Sequence, residues 1–174
     1  MRPGQTEGVD RLLASAQAAA GRHHHRFVHT EYLLLGLLRH RNSATRLLRS
    51  LGYDCGALYK TCESRCRRGN HAMESGLKLT SRSQAVLKLA EKQREALGHR
   101  QLDTTHVLLG LVLEEEGIAG SVLRGAGITA EAVRAAIRGE RDVSSVPPAA
   151  ASQRPKASAE APLRKPLWRI LLRV

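Results

Sequence analysis

The sequence predicts an all-α fold, made of two tandem four-helix repeats packed about a pseudo-twofold axis and followed by a disordered C-terminal tail. Three observations lead there. The 174 residues are 42% hydrophobic but only 3% aromatic, so any core must be aliphatic, and such a core suits helix packed on helix. Apolar residues recur at helical rather than alternating spacing. The chain also matches itself when displaced by 74 residues.

That match spans a whole unit. "QTEGVDRLLASAQ" (Gln5 to Gln17) aligns with "LTSRSQAVLKLAE" (Leu79 to Glu91), and "HTEYLLLGLL" from His29 aligns with "DTTHVLLGLV" from Asp103. After a slip of one residue, "LLRSLGYDCGAL" from Leu47 meets "VLRGAGITAEAV" from Val122. Repeat one therefore covers about 5–66 and repeat two about 79–140, inside one domain of residues 1–142.

Each element has a local reason. In repeat one the helices start near Thr6, Thr30, Ser43 and Asp54, residues whose side-chain oxygens can receive the free amides of a first turn. In repeat two Ser81 to Leu97 carries Val86, Leu87, Leu89, Ala90 and Leu97 at helical spacing. Thr104 is expected to cap the next helix, a short one follows over Ile118 to Leu123, and Thr129 opens the last. The second helix of each repeat is apolar almost all round, which places it centrally. Gly36 and Gly110 fall at equivalent points within it, where glycine costs about 1 kcal/mol against alanine, so close helix approach is the expected reason for both.

Between the repeats, "CRRGNHAMESG" (Cys66 to Gly76) reads as an exposed link. Residues 143–162, rich in Pro, Ala and Ser, read as a disordered linker, and residues 163–174, "LRKPLWRILLRV", as a basic amphipathic tail. The net charge of +12 is uneven: residues 39–70 hold +6, residues 71–142 none and residues 143–174 +5. No stretch is apolar for the roughly 20 residues that span a bilayer, and there is no secretory leader, so the cytoplasm is the expected location. Three cysteines do not make a disulfide framework.

The repeated helix-start threonines, the "HTEYLLLGLL" and "DTTHVLLGLV" helices and "VLRGAGI" are similar to the Clp amino-terminal repeat domain, which precedes the ATPase modules of ClpA-, ClpB- and ClpC-type unfoldases. The likeness to the ClpC kind is the more specific, through "EALGHRQLDTTHVLLGLVLEEEGIAGSVLRGAGI". The resemblance covers roughly residues 5–140 and implies a protein-binding module serving a Clp unfoldase, its adaptors or its clients. These 174 residues contain no phosphate-binding loop, since "GALYKT" has the wrong spacing, so no enzymatic activity and no cofactor are expected.

The resemblance further implies recognition of phosphoarginine on marked proteins. Carried over residue by residue, Glu31 would take the guanidinium, beside Thr30, and Thr6 at the first-helix start would face the phosphate. In repeat two the counterparts are Thr80, Thr104 and Thr105, and Thr105 stands where a glutamate is needed, so that site is expected to be degenerate. Thr30 with Glu31 is equally a good helix start.

Other clusters admit other readings. Cys55, Cys62, Cys66 and His71 have ligand chemistry for zinc without a recognised spacing, and His23, His24, His25 and His29 read as a solvated loop. The arginines between residues 39 and 68, together with the tail, would suit a nucleic acid or an anionic membrane surface. A solvated charged face is the simpler account.

Overall fold

In a computed structural model the described residues are 4–71 and 78–139. The linker and tail assigned to residues 143–174, and residues 72–76 of the inter-repeat link, lie outside them. Eight helices appear among these residues: α1 (Glu7–Arg22), α2 (Thr30–Arg39), α3 (Ser43–Ser50), α4 (Cys55–Arg65), α5 (Ser81–Ala96), α6 (Thr104–Leu113), α7 (Ile118–Gly125) and α8 (Ala130–Arg138). α5 and α6 repeat the bounds of α1 and α2 at an interval of 74 residues, as the self-match predicts.

The central position expected for α2 and α6 is observed. Every residue from Thr30 to Leu38 is buried, and so is every residue from Thr104 to Val112 except Thr105. Each fully buried leucine contributes about 1.5–3 kcal/mol relative to an exposed one, and Leu33, Leu34, Leu35, Leu37, Leu108, Leu109 and Leu111 are all at 2% exposure or less. α1 lies along α2 and α5 along α6, and the short α3 packs on α6 of the other repeat while α7 packs on α2.

Gly36 and Gly110 hold these pairs together. A β-carbon on Gly36 would lie 2.5 Å from Leu12 O and 2.9 Å from Ala16 N; on Gly110 it would lie 2.5 Å from Val86 O. The two backbones touch where a side chain would stand, which explains glycine in the middle of two well-formed helices.

Two features depart from the all-helical expectation. Phe27–Val28 (β1) and Lys78–Leu79 (β2) pair in parallel, and Gln5 bridges Leu102 in the same sense. These contacts cross between repeats: Thr80 N–H donates to Val28 O at 3.1 Å, and Thr6 N–H donates to Leu102 O at 2.9 Å. Each repeat's first helix is thereby anchored on the residues leading into the other repeat's second helix.

Helix starts follow the expected chemistry at Asp54, Thr80 and Thr129, whose side chains accept from Gly56, Ser83 and Ala132 N–H. Two differ. Asn42, one residue before Ser43, forms a reciprocal capping box with Thr45. Thr104 is not a cap: Asp103 precedes the helix, and the wholly buried Thr104 hydroxyl instead accepts Ala44 N–H of α3 at 3.2 Å.

Candidate functional site

α1 and α2 run antiparallel, as the Ser15 Oγ to His40 Nε2 contact of 2.7 Å at one end and the His23 and Tyr32 rings 5.5 Å apart at the other require. Thr6, which precedes α1, is therefore at the opposite end of this helix pair from Glu31. The structure does not bring Thr6, Thr30 and Glu31 together. It instead makes two junctions, each combining helix starts from both repeats.

At the first junction the starts of α2, α5 and α7 meet. Thr30 is 3% exposed and its hydroxyl faces Gly117, the residue preceding α7. Glu31 is 7% exposed, in the first turn of α2 where a negative charge is favoured. Among the described residues no cation forms an ion pair with it. Thr80 caps its own helix and also donates to Ser83 Oγ at 2.9 Å, while Ser83 Oγ donates to Val28 O at 2.8 Å.

Two residues that the motif comparison does not single out complete this junction. Arg82, the second residue of α5, pairs with Glu114 at 3.1 Å and with Glu116 at 2.6 Å. Glu114 is 8% exposed and accepts Gly117 N–H at 2.7 Å, so the chain's own carboxylate satisfies the start of α7. Comparing the repeats position by position would have exposed both, because their counterparts, Gly8 and His40, are chemically unlike them.

At the second junction the starts of α6, α1 and α3 meet. Thr6 Oγ1 donates to Asp103 Oδ1 at 3.1 Å, and Thr105 Oγ1 to Asp103 Oδ2 at 3.4 Å. Thr105 supplies a hydroxyl where Glu31 supplies a carboxylate. Beside them opens a pocket of about 510 Å³ whose wall includes Gly8, Arg11, His40, Arg41 and Arg46.

The remaining candidates separate. Cys62 and Cys66 stay together, their thiols hydrogen bonded, whereas the Cys55 thiol donates to Thr45 O and His71 is exposed. Among the described residues no three His, Cys, Asp or Glu side chains are grouped for a metal. Burial lowers the pKa of His23 and raises that of Tyr32, whose buried hydroxyl has no hydrogen-bond partner among the described residues. The histidine loop is thus partly packed: His23 and His25 rest against the Tyr32 ring.

The basic stretch 39–68 does not form one stripe. Arg41 and Arg46 face the pocket beside α1, Arg65 donates to Ser121 Oγ, and Arg68 reaches His24. Among the described residues no helix is long and apolar enough to cross a membrane.

The model of the Clp repeat (R) N-terminal domain matches residues 5–100 and 78–165. ClpC/MecB of Bacillus subtilis, a negative regulator of genetic competence, is 36% identical over 130 residues, which are 74% of this chain and 16% of that protein. The chain thus spans about one sixth of that relative. Among solved structures, the Hsp104 N-terminal domain from Candida albicans aligns with a TM-score of 0.65 at 13% identity, covering 79% of this chain and 93% of that one. The N-terminal domain of ClpD from Arabidopsis thaliana aligns with a TM-score of 0.60 at 22% identity, covering 78% and 95%. With two repeats matched in tandem and the same fold recovered, the chain belongs to the Clp repeat N-terminal domain family.

Proposed function

We propose that this chain is a non-enzymatic receptor that docks adaptor or substrate proteins for a Clp unfoldase, using Glu31 as the anchor for a guanidinium group, phosphoarginine included. The observation that carries this reading is the state of Glu31: a nearly buried carboxylate with no ion-pair partner among the described residues. A carboxylate at the mouth of a mostly buried side chain favours a cation beside it, and the planar guanidinium offers two parallel N–H donors to its two oxygens. Membership of a family whose domains sit in unfoldases supports the same reading. Thr105, neutral and bonded to Asp103, has no such capacity, so one site rather than two is expected.

Calorimetric titration of the full chain with phosphoarginine tests this, with phosphoserine, free arginine and Glu31→Gln as controls. The expected result is saturable binding near one equivalent, lost in the variant. An absence of binding, or binding unchanged by Glu31→Gln, would remove Glu31 as the anchor.

A further inference from the structure

The two junctions have diverged at a pair of positions. In one, Arg82 and Glu114 form an ion pair, and Glu114 also accepts the amide that precedes α7. In the other, Gly8 stands for Arg82 and His40 for Glu114. Gly8 brings no guanidinium where Arg82 brings one in the twin, and an imidazole turned towards Ser15 supplies no negative charge. Both residues line a pocket of about 510 Å³.

Its lining is cationic beyond its internal pairing. Arg11 is paired with Glu7, and Asp103 accepts from Thr6 and Thr105. Among the described residues Arg46 reaches the Ser43 hydroxyl, at 3.4 Å, and neither it nor Arg41 forms an ion pair. The Thr6 side chain does not cap α1; Val9 and Asp10 N–H bond to Thr6 O, and Glu7 and Gly8, the two residues before them, line the same pocket.

The geometry points to this pocket as a binding site for an acidic side chain of a partner protein, whose carboxylate takes the place that Glu114 occupies in the twin junction. The twin is the reason for choosing a carboxylate: there this chain already holds one against a helix start and an arginine. The site is independent of Glu31, so the phosphoarginine titration and the test below succeed or fail separately.

The probe is a fluorescein-labelled ten-residue peptide of alternating Glu and Ala, followed by anisotropy against the full chain. Versions with Gln for Glu, and with one phosphoserine among Gln and Ala, are run alongside. The Glu peptide should bind at least tenfold more tightly than the Gln peptide. Gly8→Arg with His40→Glu should abolish that preference, because it rebuilds the twin's ion pair inside the pocket. This double variant leaves the formal net charge at +12, so general electrostatic attraction stays constant. Circular dichroism on it verifies folding, and Arg41→Glu provides a second variant should it fail to fold. Arg67→Glu with Arg68→Glu, away from the pocket, should retain the preference. Equal binding of the Glu and Gln peptides, or a preference that survives both pocket variants, overturns the assignment. Tight binding of the phosphoserine peptide alone would replace the carboxylate with a phosphate and overturn the chosen ligand.

Discussion

Arg82 Nε lies 3.1 Å from Glu114 Oε1, joining the second residue of α5 to the residue that ends α6. Glu114 is the more buried partner, and its second oxygen receives Gly117 N–H. Glu114 thus closes α6 through its backbone N–H, while its carboxylate starts α7 and holds α5.

The two partners should differ in what their removal does. Glu114→Ala leaves the α7 start without an acceptor and should destabilise by about 1–2 kcal/mol. Arg82→Ala should lose about 1 kcal/mol or less, because the arginine is half-exposed and solvent screens it. Urea midpoints at matched slopes decide the order, and an Arg82 effect exceeding that of Glu114 would contradict the shared role assigned to the carboxylate.

Gly36→Ala places a methyl group against the backbone of α1. Overpacking of that kind costs about 1–3 kcal/mol, more than the roughly 1 kcal/mol of helix propensity it returns. Gly125→Ala, at the end of α7 with nothing near its would-be β-carbon, should be neutral or slightly stabilising. Thermal unfolding of the two variants is expected to move in opposite directions or, at the least, to fall only for Gly36.

Thr104→Val keeps the shape of a buried side chain and removes the acceptor for Ala44 N–H. An amide left unpaired in the core costs about 1–3 kcal/mol. Amide hydrogen exchange at Ala44 should accelerate together with the drop in stability; a silent variant would mean that the bond is not formed in solution.

His106 makes stability depend on pH. Its Nδ1 accepts Asp103 N–H at 2.9 Å, so the neutral ring carries its proton on Nε2 and donates to His99 Nδ1 at 2.8 Å. Burial, reinforced by His99, holds its pKa below the ordinary 6.5. On acidification the unfolded chain takes up this proton first. Stability is therefore complete above about 6.5 and declines as pH falls from there through the lower folded value. His23, also lowered by burial, acts in the same direction. Urea midpoints between pH 7.5 and 5 should fall, and less so in His106→Gln.

Much of this architecture is legible in the sequence because a duplication reports on itself. The interval of 74 residues sets the helix bounds, and paired glycines in two apolar helices mark the close approach later found at Leu12 and Val86. The grouping of Thr6 with Glu31 was not recoverable in the same way. Periodicity tells which face of a helix is buried but not which repeat covers it, and here the anchoring bonds are backbone bonds, Thr6 to Leu102 and Thr80 to Val28, that leave no signature in side chains. Thr30 and Thr104 looked like caps because a hydroxyl at a helix start usually is one. Their burial at 3% or less turns them inward to serve a neighbouring helix. The divergence of Gly8 and His40 was visible in the aligned repeats, but its meaning depended on knowing that Arg82 touches Glu114.

The crossed backbone bonds also bear on how such a chain arises. A single repeat would expose the strand leading into its second helix and the amide at the start of its first, each waiting for a complement it does not carry. A second copy offers both, and the contact is the same in the two directions, which is the geometry of an isologous pair. The duplicated gene product is in this sense a twofold dimer written into one polypeptide. Halves that are joined can each differ from the twin, and an arginine and a glutamate in one repeat against a glycine and a histidine in the other is a difference that no symmetric assembly of identical chains can hold.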